Sequence, residues 1–243
     1  MSTAPQQQEV LRSSSSTTST ETFVSADAFA SADGLANVYT GVPLLWRMLE
    51  IVVSLFALVF FAPVMLIIAL VIKRDTPGPA LFFQQRVGQG MKPFKFVKFR
   101  TLCADARQRY PELYAYDYRD DELRDLKFKV EHDPRVTRQG RWLRRSSLDE
   151  LPNFWNVLKG DMALVGPRPE IPEMLPYYTG EMRQKFSVRP GITGLAQTSG
   201  RGRLKFLEGA LLDMEYVRRR SVWLDLWLIV KTVWLIFLRD GAF

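Results

Sequence analysis

An adjacent pair of carboxylates, Asp149 and Glu150, marks the most chemically suggestive segment of this 243-residue sequence. One acid of such a pair can attack phosphorus or hold a metal ion, while neighbouring guanidinium groups bind the phosphate oxygens. The pair is preceded by four arginines at helical spacing, Arg138, Arg141, Arg144 and Arg145. This arrangement predicts chemistry on a phosphate group.

Two structural interpretations compete with catalysis. The four arginines would form one face of a helix, and such faces are most often simply solvated. The segment from Ser147 to Glu150 also matches a capping box, in which the glutamate bonds its own helix start. Pro152 argues against that helix, because a proline in its fifth position removes a hydrogen bond and clashes with the preceding turn. Proline is favourable in the first position, so we predict a helix that begins near residue 151 or 152 and ends at Lys159. Spacing alone leaves catalysis and capping open.

Three loops rich in glycine and proline present further arginines. The prolines of Gly166-Pro-Arg-Pro169 restrict the backbone and project Arg168 from the loop. The same sequence is also compatible with a turn that has only a structural role. A second rigid loop extends from Arg189 to Gly194. Farther along, the glycines on either side of Arg201 would permit the backbone to approach a ligand phosphate closely.

Composition narrows the classes of function. The formal net charge of +7 favours anionic partners such as nucleic acid, anionic lipid or nucleotide phosphates. The single cysteine, Cys103, excludes an intrachain disulfide framework, and the single histidine, His132, argues against a serine-histidine-aspartate triad and against a zinc site. The sequence contains no phosphate-binding loop of the nucleotide triphosphatase type.

The N-terminal part divides into two segments. Residues 1 to 40 are rich in Ser, Thr, Ala and Gln, and we predict a disordered tail. Residues 41 to 74 contain 22 consecutive uncharged positions, Ile51 to Ile72, followed by Lys73 and Arg74. A straight helix of that length measures roughly 33 Å, enough to cross a hydrocarbon core of about 30 Å. Pro63 would kink or break it, so a kinked span competes with a hairpin that enters and leaves one leaflet; hydropathy favours the span.

Residues 75 to 220 read as a basic domain of mixed α+β structure that is mostly helical. Leu81 to Arg86 and Phe94 to Phe99 alternate apolar and polar residues around a glycine-containing turn, which predicts a short β-hairpin. The highly charged stretch from Ala104 to Lys129 is typical of a helical or loop-rich surface insertion.

Residues 221 to 243 predict a C-terminal amphipathic helix. Its polar positions form a narrow stripe, and nearly every other residue is Trp, Leu, Ile, Val or Phe. The wide apolar face could be buried in a core or lie in a membrane interface, for which tryptophan is well suited. We favour the interface. The stripe consists of Ser221, Asp225, Thr232 and Arg239.

Several motifs in order resemble the bacterial sugar transferases, the monotopic polyprenyl-phosphate phosphoglycosyl transferases. The resemblance extends from about Trp46 to Phe237. One motif would be weak evidence, but this ordered series is highly specific. The motifs are Thr76-Pro-Gly-Pro-Ala-Leu-Phe-Phe-Gln-Gln-Arg86, Lys95-Phe-Val-Lys-Phe-Arg100, Asp133-Pro-Arg-Val-Thr-Arg138, Ser147-Leu-Asp-Glu-Leu-Pro152, Leu158-Lys-Gly-Asp161, Gly166-Pro-Arg-Pro169 and Arg189-Pro-Gly-Ile-Thr-Gly194.

The resemblance implies transfer of sugar-1-phosphate from a UDP-sugar to polyprenyl phosphate, with release of UMP, as the priming step of cell-surface glycan synthesis. It implies that Asp149 is the covalent nucleophile and that Glu150 is associated with Mg²⁺. The basic substrate contacts of the family correspond to Lys98, Arg144, Arg168 and Arg201 here.

The resemblance also reverses the preference for a membrane span. Members of the family carry a re-entrant hairpin broken at a Ser-Pro pair, which corresponds to Ala62-Pro63 here, so that both termini are cytoplasmic. The implied location is the bacterial inner membrane, in contact with lipid, with a small catalytic domain on its cytoplasmic face. The chain looks like a minimal catalytic form, and a homo-oligomer is compatible with it. Leu195 stands where many relatives have an aromatic residue.

Two other functions are alternatives, and the second of them is suggested by net charge alone. A non-catalytic membrane adaptor could use a basic face on anionic lipid, and a membrane-tethered nucleic-acid binder would show salt-sensitive binding. The sequence offers no recognition motif for nucleic acid, so we expect no such partner.

Overall fold

The computed structural model describes residues 44–127, 132–200 and 203–238. The predicted disordered tail and Arg201 lie outside these ranges. Within them the chain is mostly helical, with two small sheets, as the α+β prediction requires. The α-helices are α1 (Leu44–Phe60), α2 (Ala62–Asp75), α3 (Ala106–Arg109), α4 (Asp120–Asp125), α5 (Arg138–Ser146), α6 (Phe154–Lys159), α7 (Leu195–Gly200), α8 (Phe206–Arg219) and α9 (Val222–Leu238). Short 3₁₀ helices cover Gln89–Met91, Pro111–Tyr114, Leu148–Asn153, Pro172–Tyr177 and Gly180–Ser187.

The predicted break at Pro63 is confirmed. Helices α1 and α2 are bent by 57° relative to each other, and Pro63 is the second residue of α2. A proline is tolerated in the first turn of a helix but cannot continue a preceding one, because it lacks the N–H group and its ring fills the space of the turn before it. In the described ranges no single helix is long and apolar enough to cross a membrane, whereas this bent pair meets both criteria in combination.

Most of the surface of α1 is apolar and exposed. The residues that pack against the rest of the protein recur at spacings of three and four, which is one face of the helix. The opposite face presents large side chains, among them Leu45, Phe56 and Val59. An apolar surface of this kind marks a contact with another apolar phase or partner.

The predicted hairpin is confirmed with slightly longer strands. Strand β1 (Leu81–Val87) pairs antiparallel with β2 (Pro93–Phe99), in a register that places Phe82 opposite Lys98. The charged stretch after residue 104 forms the short helices α3 and α4 and connecting loops, as predicted, up to the end of the described range at residue 127.

A second sheet was not predicted. Strand β3 (Ala163–Val165) pairs in parallel with β4 (Gly191–Thr193). Gly166, Gly191 and Gly194 have no room for a β-carbon, because their backbones pack directly against one another or against Arg189. The two glycine-proline loops are therefore held together by backbone contact, which brings Arg168 and Arg189 onto one support.

Helix α9 confirms the predicted C-terminal helix and turns two positions of its polar stripe, Asp225 and Thr232, toward the protein, whereas Ser221 is exposed just before the helix. Asp225 accepts a hydrogen bond from the Tyr216 hydroxyl at 2.7 Å, and the hydroxyls of Thr232 and Thr193 are hydrogen-bonded at 2.6 Å. The wide apolar face points outward, with Trp223 81% exposed. Trp227 and Trp234 are exposed on the same helix, and Arg239 lies outside the described residues. Burial of this face in a core is therefore wrong for the described part of the chain.

Candidate active site

The acid pair lies in a 3₁₀ helix, Leu148–Asn153, that joins α5 to α6. The predicted helix end at Lys159 is confirmed by α6, but the predicted start near residue 151 or 152 is wrong, since α6 begins at Phe154 and a 3₁₀ helix that already contains Asp149 and Glu150 precedes it. Pro152 is accommodated because the segment is a short 3₁₀ turn, in which few backbone hydrogen bonds depend on any one N–H group. The capping-box alternative is also wrong, because the Ser147 side chain makes no capping hydrogen bond. Ser147 instead adopts a left-handed conformation, φ 58°, that turns the chain between the two helices.

Asp149 is buried, with 7% of its surface exposed. Burial raises the pKa of its carboxyl to about 6, and the neighbouring Glu150 adds to the increase. Three cations oppose this effect and favour the carboxylate, namely Lys98, Arg144 and Arg168. The structure therefore brings three of the four predicted basic residues around the first acid, and the fourth, Arg201, lies outside the described residues.

Arg144 differs from the other arginines of α5 because its side chain contacts residues outside the helix. Its Nε donates to Thr101 Oγ1 at 3.0 Å, and its Nη1 lies 4.0 Å from Asp133 Oδ2. Arg138, Arg141 and Arg145 are exposed, so a solvated face is the correct interpretation for them.

The start of α5 explains how Arg144 reaches this position. Thr137 caps the helix by accepting a hydrogen bond from the Gly140 N–H at 2.9 Å. Gly140 packs against the backbone of Thr101, where a β-carbon would collide. Asp133 is held in turn by Arg135, whose Nη2 lies 2.9 Å from its Oδ2. The Asp133-Pro-Arg-Val-Thr segment thus positions Arg144 from two sides.

Lys98 extends from β2 and is partly buried. Its ammonium lies 5.8 Å from the centre of the Phe82 ring, its partner across the hairpin. Desolvation lowers the pKa of Lys98 to about 8, against the favourable effect of Asp149. The Lys98 ammonium is therefore a poorly solvated cation near the Asp149 carboxylate, and it can attract a further anionic group to the site.

Glu150 faces Arg168 across the site. The Arg168 guanidinium lies 3.4 Å from Glu150 Oε1, and 55% of the arginine side chain is exposed. An exposed ion pair at this distance is weak, so both groups are free to rearrange around a ligand. Arg168 is thus able to bind a phosphate, and Glu150 to bind a metal ion.

The loop that carries Arg168 rests on a buried polar network that the sequence did not reveal. The Tyr178 hydroxyl donates to Glu170 Oε2 at 2.6 Å, and Lys185 Nζ lies 3.0 Å from Asp213 Oδ2. Lys185 also donates to the Tyr178 hydroxyl at 3.0 Å. Burial raises the pKa of Asp213 while Lys185 opposes the increase. No sequence motif links these residues, and only their shared burial identifies them.

The acid pair of Asp149 and Glu150, here called the dyad, has oxygen donors that fit a magnesium ion shared with a substrate. In the described ranges no group of three or more His, Cys, Asp or Glu side chains is placed to hold a metal ion. Mg²⁺ does not need such a cage, because it usually keeps several waters and takes one or two carboxylates plus substrate phosphates. The carboxylates of Asp149 and Glu150 supply suitable hard oxygen donors.

A large cleft of about 1830 Å³ opens onto the dyad. It is larger than the roughly 300–1,000 Å³ of an ordinary small-molecule pocket. One part of its wall carries both basic and acidic side chains, and another part is apolar and comes from α1 and α9. The polar wall contains Lys98, Arg144, Asp149, Glu150 and Arg168.

Comparison with known proteins gives a consistent result. Residues 42–239 match the family described as bacterial sugar transferase. The undecaprenyl-phosphate galactose phosphotransferase of Salmonella typhimurium is 38% identical over 81% of this chain. The UDP-glucose:undecaprenyl-phosphate glucose-1-phosphate transferase of Caulobacter vibrioides is 39% identical over 81% of the chain, and the exopolysaccharide production protein ExoY of Rhizobium meliloti is 32% identical over 81%.

These relatives differ in length. The alignment covers 41% of the Salmonella protein, 71% of the Caulobacter protein and 87% of the Rhizobium protein. The chain therefore spans about two fifths of the length of several relatives, and the shared region is the one that contains the acid pair.

Proposed function

We propose that this chain, which belongs to the bacterial sugar transferase family, transfers sugar-1-phosphate from a UDP-sugar to undecaprenyl phosphate. The products would be undecaprenyl-diphosphate-sugar and UMP, and the reaction would prime the synthesis of exopolysaccharide or another surface glycan. The observation that carries the proposal is the buried Asp149 carboxylate surrounded by Lys98, Arg144 and Arg168.

The first step is displacement at phosphorus. The Asp149 carboxylate attacks the β-phosphorus of the UDP-sugar, and the bond from that phosphorus to the bridging oxygen breaks. UMP leaves with the bridging oxygen, and the sugar phosphate is joined to Asp149 as an acyl phosphate. A pKa of about 6 leaves roughly nine tenths of this carboxyl ionised at pH 7, as attack requires.

The second step regenerates the enzyme. A phosphate oxygen of undecaprenyl phosphate attacks the phosphorus of the intermediate, and the bond to Asp149 breaks. The carboxylate is released and the new diphosphate leaves. Two successive displacements at one site allow a soluble donor and a membrane-bound acceptor to react in turn. Lys98, Arg144 and Arg168 bind the phosphoryl oxygens in both steps.

Mg²⁺ would be held by Glu150 together with the donor diphosphate, and when bound it neutralises charge on the phosphates. Arg168 is the residue that would exchange its weak pairing with Glu150 for a substrate oxygen. This division of roles is supported by the 3.4 Å contact and by the exposure of the arginine.

The membrane part of the proposal uses the bent pair α1–α2 as a re-entrant hairpin and α9 as an interfacial helix. The exposed apolar face of α1 and the outward tryptophans of α9 support it. With both elements in one leaflet, the dyad would face the cytoplasm at the surface of the inner membrane. The apolar wall of the cleft would then accept the first isoprene units of the acceptor.

The activity is tested by incubating purified full-length chain with UDP-sugars, Mg²⁺ and undecaprenyl phosphate and measuring released UMP. We expect release with at least one donor, and a phosphosugar adduct on Asp149 detectable by mass spectrometry when the acceptor is left out. Asp149→Asn should abolish the adduct, whereas Asp121→Asn, at an exposed position, should retain it. A chain that binds anionic vesicles but releases no UMP from any common donor would instead be an adaptor.

A further inference from the structure

Asn153 is buried beneath the dyad without a protein partner for its side chain. It is fully buried, at 0% exposure, and neither Oδ1 nor Nδ2 has a hydrogen-bond partner within the described residues. An unsatisfied buried amide is strongly unfavourable, and most buried polar side-chain atoms in proteins have a partner. Leucine has nearly the same size and would avoid the problem, so the retained amide points to a ligand.

Arg86 also carries a buried polar atom without a hydrogen-bond partner within the described residues. Arg86 is anchored by Nη1, which donates to the Pro169 carbonyl at 3.1 Å, and its guanidinium lies 5.5 Å from the centre of the Phe96 ring. Its Nε is buried and has no partner in the described part of the chain. Arg86 and Asn153 both line one small cavity.

The cavity has the size and lining of a water site. Its volume is about 10 Å³, and a single buried water needs on the order of 10–15 Å³ and two to four polar partners. Besides Arg86 and Asn153, the wall includes Glu150 and Arg168. The space therefore extends from the buried guanidinium to the two side chains that face each other across the proposed reaction site.

The 3₁₀ helix places the amide on the same side as the metal-associated acid. Residues three apart eclipse in a 3₁₀ helix, and Asn153 follows Glu150 by three positions in Leu148–Asn153. A water bound at Asn153 is therefore adjacent to Glu150 through the local backbone geometry.

We propose that Arg86 and Asn153 hold one buried water in this cavity, and that this water positions Glu150 opposite Arg168. The water accepts hydrogen bonds from Arg86 Nε and Asn153 Nδ2 and donates one to the Glu150 carboxylate. Asn153 is thus a positioning residue that acts on the reaction through Glu150. The positioning role rests on the proposed function, whereas the water site does not.

Asn156, on the following helix, provides a matched control. It is also a buried asparagine, but its amide is satisfied by protein, since Nδ2 donates to the Lys95 carbonyl at 2.8 Å and Oδ1 accepts from the Val97 N–H at 3.2 Å. Its replacement removes structural hydrogen bonds, so Asn156→Leu should lower the unfolding temperature. Asn153→Leu should lower that temperature less than Asn156→Leu does, because it breaks no direct hydrogen bond between protein groups and loses only those to the water.

The experiment combines a high-resolution structure of the full-length chain with steady-state kinetics of the wild type and two variants. The wild type should show density for one water within hydrogen-bond distance of Arg86 Nε and the Asn153 amide. Asn153→Leu should lose that density and lower kcat about tenfold, with KM for the donor changed less than about twofold. Asn153→Ser, which keeps a polar partner and leaves room for water, should recover most of the lost kcat.

Each outcome is decisive. A wild-type structure that resolves other buried waters but none here, or in which Arg86 Nε bonds a carbonyl, overturns the water site. A water that is present while Asn153→Leu keeps full kcat overturns the positioning role. A wild type that releases no UMP overturns the proposed function, and the water site is then judged on density alone.

Discussion

Glu50 and Arg189 form a buried ion pair that joins helix α1 to the loop entering β4, with 3.2 Å between Oε2 and Nη2. Glu50 is 1% exposed, and its other oxygen accepts from the Leu164 N–H at 3.2 Å. Arg47, one turn earlier on α1, lies 3.1 Å from Glu50 and donates to the Val157 carbonyl at 2.7 Å. Helix α1 is therefore fastened to β3, to α6 and to the loop that enters β4, the segment that also carries Arg168.

Glu50→Ala should destabilise the fold strongly. The change leaves Arg189 without its buried partner and Leu164 N–H without an acceptor, and breaking one side of a buried pair costs about 3–5 kcal/mol. Thermal unfolding in detergent measures the effect. The control is Glu181→Ala, which breaks an exposed pair with Arg218 and should change stability by less than about 1 kcal/mol. Equal effects of the two variants would show that burial of the Glu50 pair is unimportant.

Arg144→Ala should reduce kcat by on the order of 10²-fold, because it removes a fixed cation beside the reacting phosphoryl group. Arg141→Ala is the matched control, since Arg141 lies on the same helix but is exposed. It should retain kcat within about twofold. UMP release under saturating donor measures both variants, and a comparable loss in Arg141→Ala would contradict the assignment of Arg144 to the site.

The pH dependence follows from the raised pKa of Asp149. Only the carboxylate can attack phosphorus, so transfer should decline as the pH falls through about 6. Single-turnover formation of the phosphosugar adduct reports this step directly. A profile that stays flat down to pH 4.5 would contradict a buried nucleophile with this pKa.

The stability of the fold should change with pH in the opposite direction to the activity, because it should rise as the pH falls through about 6. The pKa of Asp149 is higher in the folded protein than the ordinary 3.8, so burying the ionised carboxylate disfavours folding above pH 6, and this effect disappears below about pH 4. At pH 8 the free energy of unfolding of Asp149→Asn should therefore exceed that of wild type by on the order of 1–3 kcal/mol, which raises its unfolding temperature, and the advantage should vanish near pH 4. If Asp149→Asn is less stable than wild type at pH 8, the buried Asp149 carboxylate does not destabilise the fold as expected.

Sequence patterns identified the features that depend on neighbouring residues. The acid pair, the β1–β2 hairpin, the break at Pro63 and helix α9 were all predicted from local composition and periodicity. Periodicity could not separate Arg144 from Arg141 and Arg145, because only the contacts with Thr101 and Asp133 make that distinction.

The remaining features depend on tertiary contacts. Glu50 and Arg189 are 139 residues apart in the chain, and strands β3 and β4 are too short, at three residues each, to show an alternating pattern. The start of the dyad helix was misplaced because Pro152 was judged by the rules of the α-helix, whereas the chain forms a 3₁₀ turn there.

The proposed re-entrant topology depends on Pro63, and its replacement should change the sidedness of the N-terminus. Pro63→Leu restores the missing N–H and removes the ring, so residues 44 to 72 could form one helix of roughly 43 Å, long enough to span the bilayer. The measurement is labelling of Ser13→Cys with a membrane-impermeant thiol reagent, in a Cys103→Ser background, with Lys92→Cys as the reference for the catalytic domain. The cysteine at position 13 should be reached only from the cytoplasmic side with Pro63 present. A substantial fraction should be labelled from the periplasm in Pro63→Leu. Periplasmic labelling with Pro63 in place would establish a spanning helix instead.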